Sequence, residues 1–368
     1  MKRLSALLLT FCILCTAVIT SAEDTAQYNT DDSVILSQLG ILDISEAENI
    51  NRAAFVGYAV RAMLPGMAVP SEKLPFEDLP LDSADYDSIS LAYKADAVKG
   101  SGARFYPDEY ISETEAITIL LRLLGYGQVA EQGAGYPIGY LTCARTIGIL
   151  GYKDTVGGTL SSQTAASLIK RALEAEMLEG KSYTNDSVKY GENGRTALFV
   201  KYGIIKETGI VNAYGKSALL PEYETADGHA NIGGMSLESS INLFPYLGYR
   251  VEYYYSDDDE IILAVNPYKN YITEIDAQQE PSLSGRRLSY FENGKKTYTD
   301  LPADISVVYN EKCKGDYTAD DFDIDKGSVV LIENGGGDIA AVIINDYSSR
   351  IVKRVNSAEL EIIGKADR

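Results

Sequence analysis

The chain has 368 residues, 45% of them hydrophobic and 23% charged, with a net charge of −20. That length allows two or three domains with their own cores. The acidic balance argues against nucleic acid or anionic membrane as main partners, and one histidine, His229, rules out a multi-histidine metal site.

The first predicted element is a targeting segment. Lys2 and Arg3 precede an almost wholly apolar run from Ala6 to Ile19, and Thr20, Ser21 and Ala22 supply small residues for cleavage. This pattern predicts a secretory signal peptide over residues 1–22. Loss of Lys2 and Arg3 with the leader takes the charge from −20 to −22. Cys12 and Cys15 would leave with it, so the mature chain keeps Cys143 and Cys313, whose separation fits no zinc or redox spacing.

Three helical segments of common layout follow, about 31–66, 74–127 and 136–179. A first apolar helix ends in a matching tetrapeptide: Leu39-Gly40-Ile41-Leu42, Ala95-Asp96-Ala97-Val98 and Ile147-Gly148-Ile149-Leu150. A second helix starts at a small polar cap, Asn51, Ser112 or Ser161. Counted from each cap, positions +4, +7, +8 and +11 are apolar or aromatic in all three copies, the spacing of one helix face. Ser112 and Glu115 form a capping-box pattern. One such helix pair cannot bury its own apolar face, so the copies are expected to pack together.

The middle copy resembles an S-layer homology repeat. The matching residues are Phe76-Glu77-Asp78 at the entry, Tyr86-Asp87-Ser88-Ile89 opening the first helix, Val98-Lys99-Gly100 closing it, and then Phe105-Tyr106-Pro107-Asp108. The resemblance covers residues 24–180. It implies a pseudo-threefold helical bundle whose grooves bind anionic, often pyruvylated, secondary cell-wall polysaccharide. The arginine that meets the acidic sugar in such repeats is matched by Arg52, in Asn51-Arg52-Ala53-Ala54. The second copy has Glu113 at that place and keeps the motif glutamate as Glu115; the third, Ser161-Ser162-Gln163-Thr164, keeps neither. The candidate glycan-binding residues are therefore Arg52 with free backbone amides of its helix start, Lys99 and Arg104 as supporting cations, and Glu115, the motif glutamate, which also reads as a capping residue.

Beyond residue 182 helical periodicity gives way to short β-branched and aromatic runs between Gly, Asn and Asp turns. Hairpins are expected over 250–265 and 327–347, with a further Asn-Gly turn at 293–294. A division near 277 gives two β-rich regions, 183–276 and 277–368; one long β unit is the alternative. Asp257 to Glu260 and the alternating Asp320, Asp321, Asp323 and Asp325 raise calcium as a weak candidate. No pattern marks a nucleophile, a phosphate loop or any catalytic residue, and no metal site is assigned.

The expected fold is α+β and multidomain: an N-terminal all-α pseudo-threefold bundle, then one or two small β-rich domains. The expected function is that of a secreted, non-enzymatic envelope protein holding wall polysaccharide, its β half a spacer, assembly or interaction module, with self-assembly as a further expectation. A wall-attached carbohydrate-active enzyme with its site in the β half is the competing expectation, and repeats that mediate only protein packing are a third.

Overall fold

A computed structural model describes residues 32–44, 49–183, 188–335, 337, 339–347, 351–355 and 360–363. The expected signal peptide lies outside the described residues.

The helices are α1 (Asp32–Gln38), α2 (Arg52–Met63), α3 (Tyr86–Lys94), α4 (Glu113–Leu123), α5 (Gly127–Gln132), α6 (Ile138–Thr146), α7 (Ser162–Glu174) and α8 (Ala197–Tyr202). Side chains of Asn51, Ser112 and Ser161 accept from the amides of Ala54, Glu115 and Thr164, so α2, α4 and α7 start at true caps. Ser112 and Glu115 complete the capping box.

The residue before each cap is buried and extended into a partner copy. Ile50 N–H donates to Leu160 O at 3.0 Å, Leu160 N–H to Ile111 O at 2.9 Å, and Ile111 N–H to Ile50 O at 3.2 Å, closing a ring. The ends of α1, α3 and α6 also match one another. Gly40, Asp96 and Gly148 turn left-handed at φ of 66°, 54° and 82°. Two residues later, Leu42, Val98 and Leu150 N–H return to the carbonyls of Leu36, Ala92 and Ala144, and in the first two copies Ile41 and Ala97 N–H reach the same carbonyls at 3.1 and 2.9 Å, the 6→1 bond of a helix C-terminus.

The strands follow from β1 (Glu176–Tyr183) and β2 (Val188–Thr196), an antiparallel hairpin. Next come β3 (Ile204–Tyr214), β4 (Ser217–Ala218), β5 (His229–Ile232), β6 (Met235–Ser239), β7 (Arg250–Ser256) and β8 (Ile261–Pro267). β3 pairs with β7 along its first half and with β5 along its second. Since β5 pairs with β6, β6 with β8 and β8 with β7, the five strands close into a ring without a free edge. Val211, Ile232, Leu237, Val251, Tyr253 and Ile262 belong to the core formed by these strands.

The remaining strands are β9 (Asn270–Asp276), β10 (Ser282–Ser284), β11 (Arg287–Glu292), β12 (Lys295–Asp300), β13 (Ser306–Tyr309), β14 (Lys312–Cys313), β15 (Gly327–Asn334), β16 (Ile339–Asp346), β17 (Ile351–Val355) and β18 (Leu360–Ile363). β14, β13, β16, β15 and β9 form a sheet, and β10, β11 and β12 form another. β9, which precedes residue 277, thus belongs with strands that follow it. Val329, Leu331, Val342 and Ile344 pack in one core with Leu288 and Tyr290 of β11. Val308, Ile332 and Ala341 join Leu219 and Leu247 in another, which places the five-stranded sheet against the closed strand ring. Gly248, at φ 84°, sits where a Cβ would meet Ile332 Cδ1 at 2.9 Å and Ala341 Cβ at 3.0 Å, so this approach requires glycine.

This architecture corrects the expectation of an N-terminal all-α pseudo-threefold bundle followed by β domains. Strand exceeds helix, 31% against 29%, and the helices are dispersed, with α8 lying between β2 and β3. The hydrophobic cluster that holds Phe55, Ile89, Leu120 and Ile169 continues into Ile204 of β3, Tyr254 of β7 and Ala264 of β8. The helices therefore have no core of their own. Periodicity marks which face of a helix is buried but not what buries it, and here strands cover part of that face.

Charges reinforce the same junction. Lys170 of α7 pairs with Asp32 of α1 at 3.2 Å and with Glu174 at 3.1 Å. Glu174 also pairs with Lys206 of β3 at 2.9 Å and accepts from the Tyr254 hydroxyl at 2.6 Å, and Lys206 reaches Glu252 of β7 at 3.1 Å. Burial opposes the Glu174 charge, but Lys170, Lys206 and Tyr254 outweigh it and hold its carboxyl below the ordinary 4.5. Burial likewise opposes the Lys206 charge, and Glu174 and Glu252 outweigh it and raise the ammonium above 10.5. A lowered carboxyl stabilises the fold above its ordinary value and loses that effect as pH falls through the folded one. A raised ammonium stabilises below its ordinary value and loses the effect as pH rises through the folded one.

Removing one partner of such a network leaves buried charge unpaired. Glu174→Gln is expected to cost about 3 kcal/mol at neutral pH in urea unfolding followed by circular dichroism. The gap to the native chain should narrow as pH drops through the lowered Glu174 value, because only the native chain then loses an ionised carboxylate. Equal gaps at neutral and strongly acidic pH would contradict this account.

Candidate functional site

Arg52 is the first residue of α2, one position past its cap, and Glu115 is three positions past the cap of α4. The ring of Ile50, Ile111 and Leu160 brings these two helix starts side by side. Arg52 Nη2 meets Glu115 Oε1 at 2.6 Å, with 21% and 30% of the two side chains exposed. The other Glu115 oxygen accepts from Ser112 N–H at 3.0 Å and Ser112 Oγ at 2.7 Å. Burial pushes the Glu115 carboxyl up, but the Ser112 bonds and the Arg52 guanidinium prevail and hold it below 4.5. Glu115 is thus at once a helix cap and a clamp on Arg52.

Arg52, Lys99, Glu115, Thr118, Arg122 and Tyr136 line a cavity of about 190 Å³, floored by Ala97, Val98 and Ile119. Three cations and one carboxylate line it, inside a chain of net charge −20, and Lys99 also pairs with Asp96 at 3.6 Å at the rim. Screening confines the attraction to roughly 8–10 Å at physiological salt, so an anion would be held by contact rather than by the global field. Arg52 Nε is buried and has no hydrogen-bond partner. Arg122 is positioned by Tyr140 Oη at 3.0 Å and Ala97 O at 3.4 Å, and it pairs with Glu131 at 3.5 Å. Tyr136 is 56% exposed at the cavity, offering an aromatic face.

Of the sequence-predicted residues, Arg52, Lys99 and Glu115 come together. Arg104 does not line the cavity. It is exposed beyond the Ser101–Arg104 bridge, and its charge faces Asp78, whose carboxylate accepts from Phe105 and Tyr106 N–H at 2.8 Å each. The free backbone amides expected at the start of α2 are engaged as well. Arg52 N–H donates to Glu109 O at 2.8 Å, Ala53 N–H to Pro107 O at 3.0 Å, and Ala54 N–H to Asn51 Oδ1 at 2.8 Å. Any anion here meets side chains alone.

Arg122 and Tyr136 were not singled out by sequence reasoning. A signal for Arg122 was present: Arg61, Arg122 and Arg171 all stand ten residues past their caps. Tyr136 gave none, because it reaches the cavity from a neighbouring loop.

Two carboxylates of the acidic runs make local contacts. Asp259 Oδ2 accepts from the Ser256 hydroxyl at 3.3 Å, and Asp259 N–H donates to the same Oγ at 3.3 Å. Asp321 accepts from the N–H of the cap Thr318 at 2.7 Å and pairs with Lys314. Among the described residues no group of three or more His, Cys, Asp or Glu converges as metal ligands. His229 opens β5, its Nδ1 3.3 Å from Asp227 O. Cys143 and Cys313 are half-buried free thiols, and burial raises both. No described helix is long and apolar enough to cross a membrane.

Glu115→Gln keeps a capping side chain but removes the charge beside Arg52. It is expected to cost about 1 kcal/mol of stability at neutral pH. The loss should vanish in acid, since a lowered carboxyl stops stabilising as pH falls through its folded value; a difference that persists in acid would mean the cap, not the ion pair, sets the cost. Comparison with family models finds no match to this chain, and comparison with curated proteins finds none.

Proposed function

We propose that the chain is a secreted, non-enzymatic protein of the bacterial cell envelope, held at the wall by contact with an acidic polysaccharide, as the S-layer homology resemblance implies. The cavity between the starts of α2 and α4 is the binding point. The observation that carries this reading is the meeting of Arg52, Lys99 and Arg122 in one small cavity of an otherwise acidic chain. Guanidinium groups suit a sugar carboxylate because their N–H groups are planar and fixed, and Tyr136 offers a ring against which a sugar face can pack. The basic start and apolar run of residues 2–19 support a secreted location, and the β half is read as a spacer, assembly or interaction module.

The mature chain is expected to sediment with isolated bacterial wall sacculi and to be released by rising salt. It should not sediment with sacculi stripped of their anionic polymer. Arg52→Ala is expected to weaken binding about tenfold or more, the value of hydrogen bonds to a charged group. Arg122→Ala should act in the same direction. Equal sedimentation with intact and stripped walls, or an Arg52→Ala chain that binds as the native one does, would end this reading.

A further inference from the structure

A cavity of about 590 Å³ lies between α3 and the segment 70–76 that leads to it. Contacts within the chain fix its walls. Leu74 N–H donates to Tyr86 Oη at 3.0 Å, and Glu77 N–H donates to Ala103 O at 2.8 Å. The Phe76 ring packs edge-on against Tyr93, 5.4 Å between centroids. Gly100 lies so close that a Cβ there would strike the Phe76 ring and Arg104 O. The cavity is therefore formed before anything enters it.

One of its lining residues is Ser90 of α3, only 2% exposed. A serine inside a helix ordinarily bonds to the carbonyl four residues back or turns to water. Thr118 of α4 takes the first course, donating to Thr114 O at 2.8 Å. Ser90 takes neither, and its hydroxyl bonds to no described group. A buried hydroxyl left unpaired costs stability. Here it borders a cavity, where a ligand can satisfy it.

The charges around Ser90 indicate the ligand. Lys73, Lys94 and Lys99 line the cavity with Glu72 and Asp96. Lys99 is already paired with Asp96 at 3.6 Å, whereas Lys73 and Lys94 form no ion pair with a described residue. The cavity contains no guanidinium, so it lacks the planar fork that fits a carboxylate with two parallel bonds. Ammonium groups are compact point charges, and several around one group suit a tetrahedral oxyanion with oxygens facing different ways. Glu72 can accept from hydroxyls of an attached group, and Tyr93, 41% exposed, offers that group a ring.

We propose that the cavity between α3 and segment 70–76 binds a phosphate ester of a small polyol. Lys73 and Lys94 hold the phosphate charge, and the Ser90 hydroxyl donates to one phosphate oxygen. The site goes beyond the reading of an acidic sugar at Arg52 and does not depend on it.

The test is a titration of the ¹⁵N-labelled mature chain, followed by amide shifts, with sn-glycerol 3-phosphate. Glycerol, inorganic phosphate and D-galacturonate serve as comparisons. Glycerol 3-phosphate is expected to shift the amides of Ser90, Tyr93, Gly100 and Gly102. Glycerol should leave them in place, and inorganic phosphate and galacturonate should shift them only at higher concentration. Ser90→Ala should weaken glycerol 3-phosphate about fivefold, the value of one lost hydrogen bond. Lys94→Gln should weaken it about threefold and flatten its salt dependence. Without ligand, the Ser90→Ala chain is expected to unfold at the same urea concentration as the native chain or a higher one, because no bond is lost and alanine favours helix. Unmoved amides, or native-like binding by both variants, would overturn the proposal. A Ser90→Ala chain that is clearly less stable without ligand would overturn the role given to its hydroxyl. Equal response to inorganic phosphate would overturn the polyol part, and equal response to galacturonate the preference for phosphate. Loss of galacturonate shifts at Thr118 and Arg122 alone would count against the sugar site at Arg52 and leave this one standing.

Discussion

Three backbone hydrogen bonds between Ile50, Ile111 and Leu160 organise the helical part of this protein. Each of these residues precedes a helix cap and must be extended for the cap to turn into its helix. Each is also buried. An extended residue in a core presents an N–H and a C=O that no helix can satisfy, and leaving one unpaired costs about 1–3 kcal/mol. The ring resolves all three at once, each residue donating to one copy and accepting from the other. Burial of the caps therefore requires the helix starts to converge.

The geometry of the cavity at Arg52 is a consequence of that convergence. Once the starts are fixed around the ring, position +1 of one helix faces position +3 of the next. Arg52 finds Glu115, whose charge is already stabilised by Ser112, so the guanidinium is placed by a group that is itself a cap. Glu113 finds Thr164 and no such clamp. One scaffold so yields two cavities at equivalent places, of about 190 and 480 Å³, whose +1 and +3 residues differ.

The junction with the β region obeys a different logic. Asp32, Lys170, Glu174, Lys206 and Glu252 are mostly shielded from water, and a network of this kind is weak evidence for stability, because desolvation offsets much of the attraction. Its effect is on specificity. Glu174 on α7 is matched by Lys206 on β3 and Tyr254 on β7, so the helices and the closed strand ring can join in one register without leaving a charge unpaired. Gly248 plays the corresponding role on the far side of the ring, where its missing side chain lets the five-stranded sheet approach.

Much of the local structure was legible in the sequence. The caps Asn51, Ser112 and Ser161 start helices because their side chains satisfy orphan amides nearby in the chain. Residues 250–265 and 327–347 form hairpins because alternation and turn residues act over short distances. Arg52 and Glu115 were readable as first-turn residues of capped helices, but that they meet each other was not. Tertiary structure alone decided the rest. That β3 pairs with both β5 and β7, that strands complete the core of the helices, that Tyr136 reaches the cavity while Arg104 turns to Asp78, and that loop carbonyls consume the amides of α2 all depend on residues distant in the chain. Periodicity records that a face must be covered and an amide satisfied; which distant group does so is settled only when the whole chain packs.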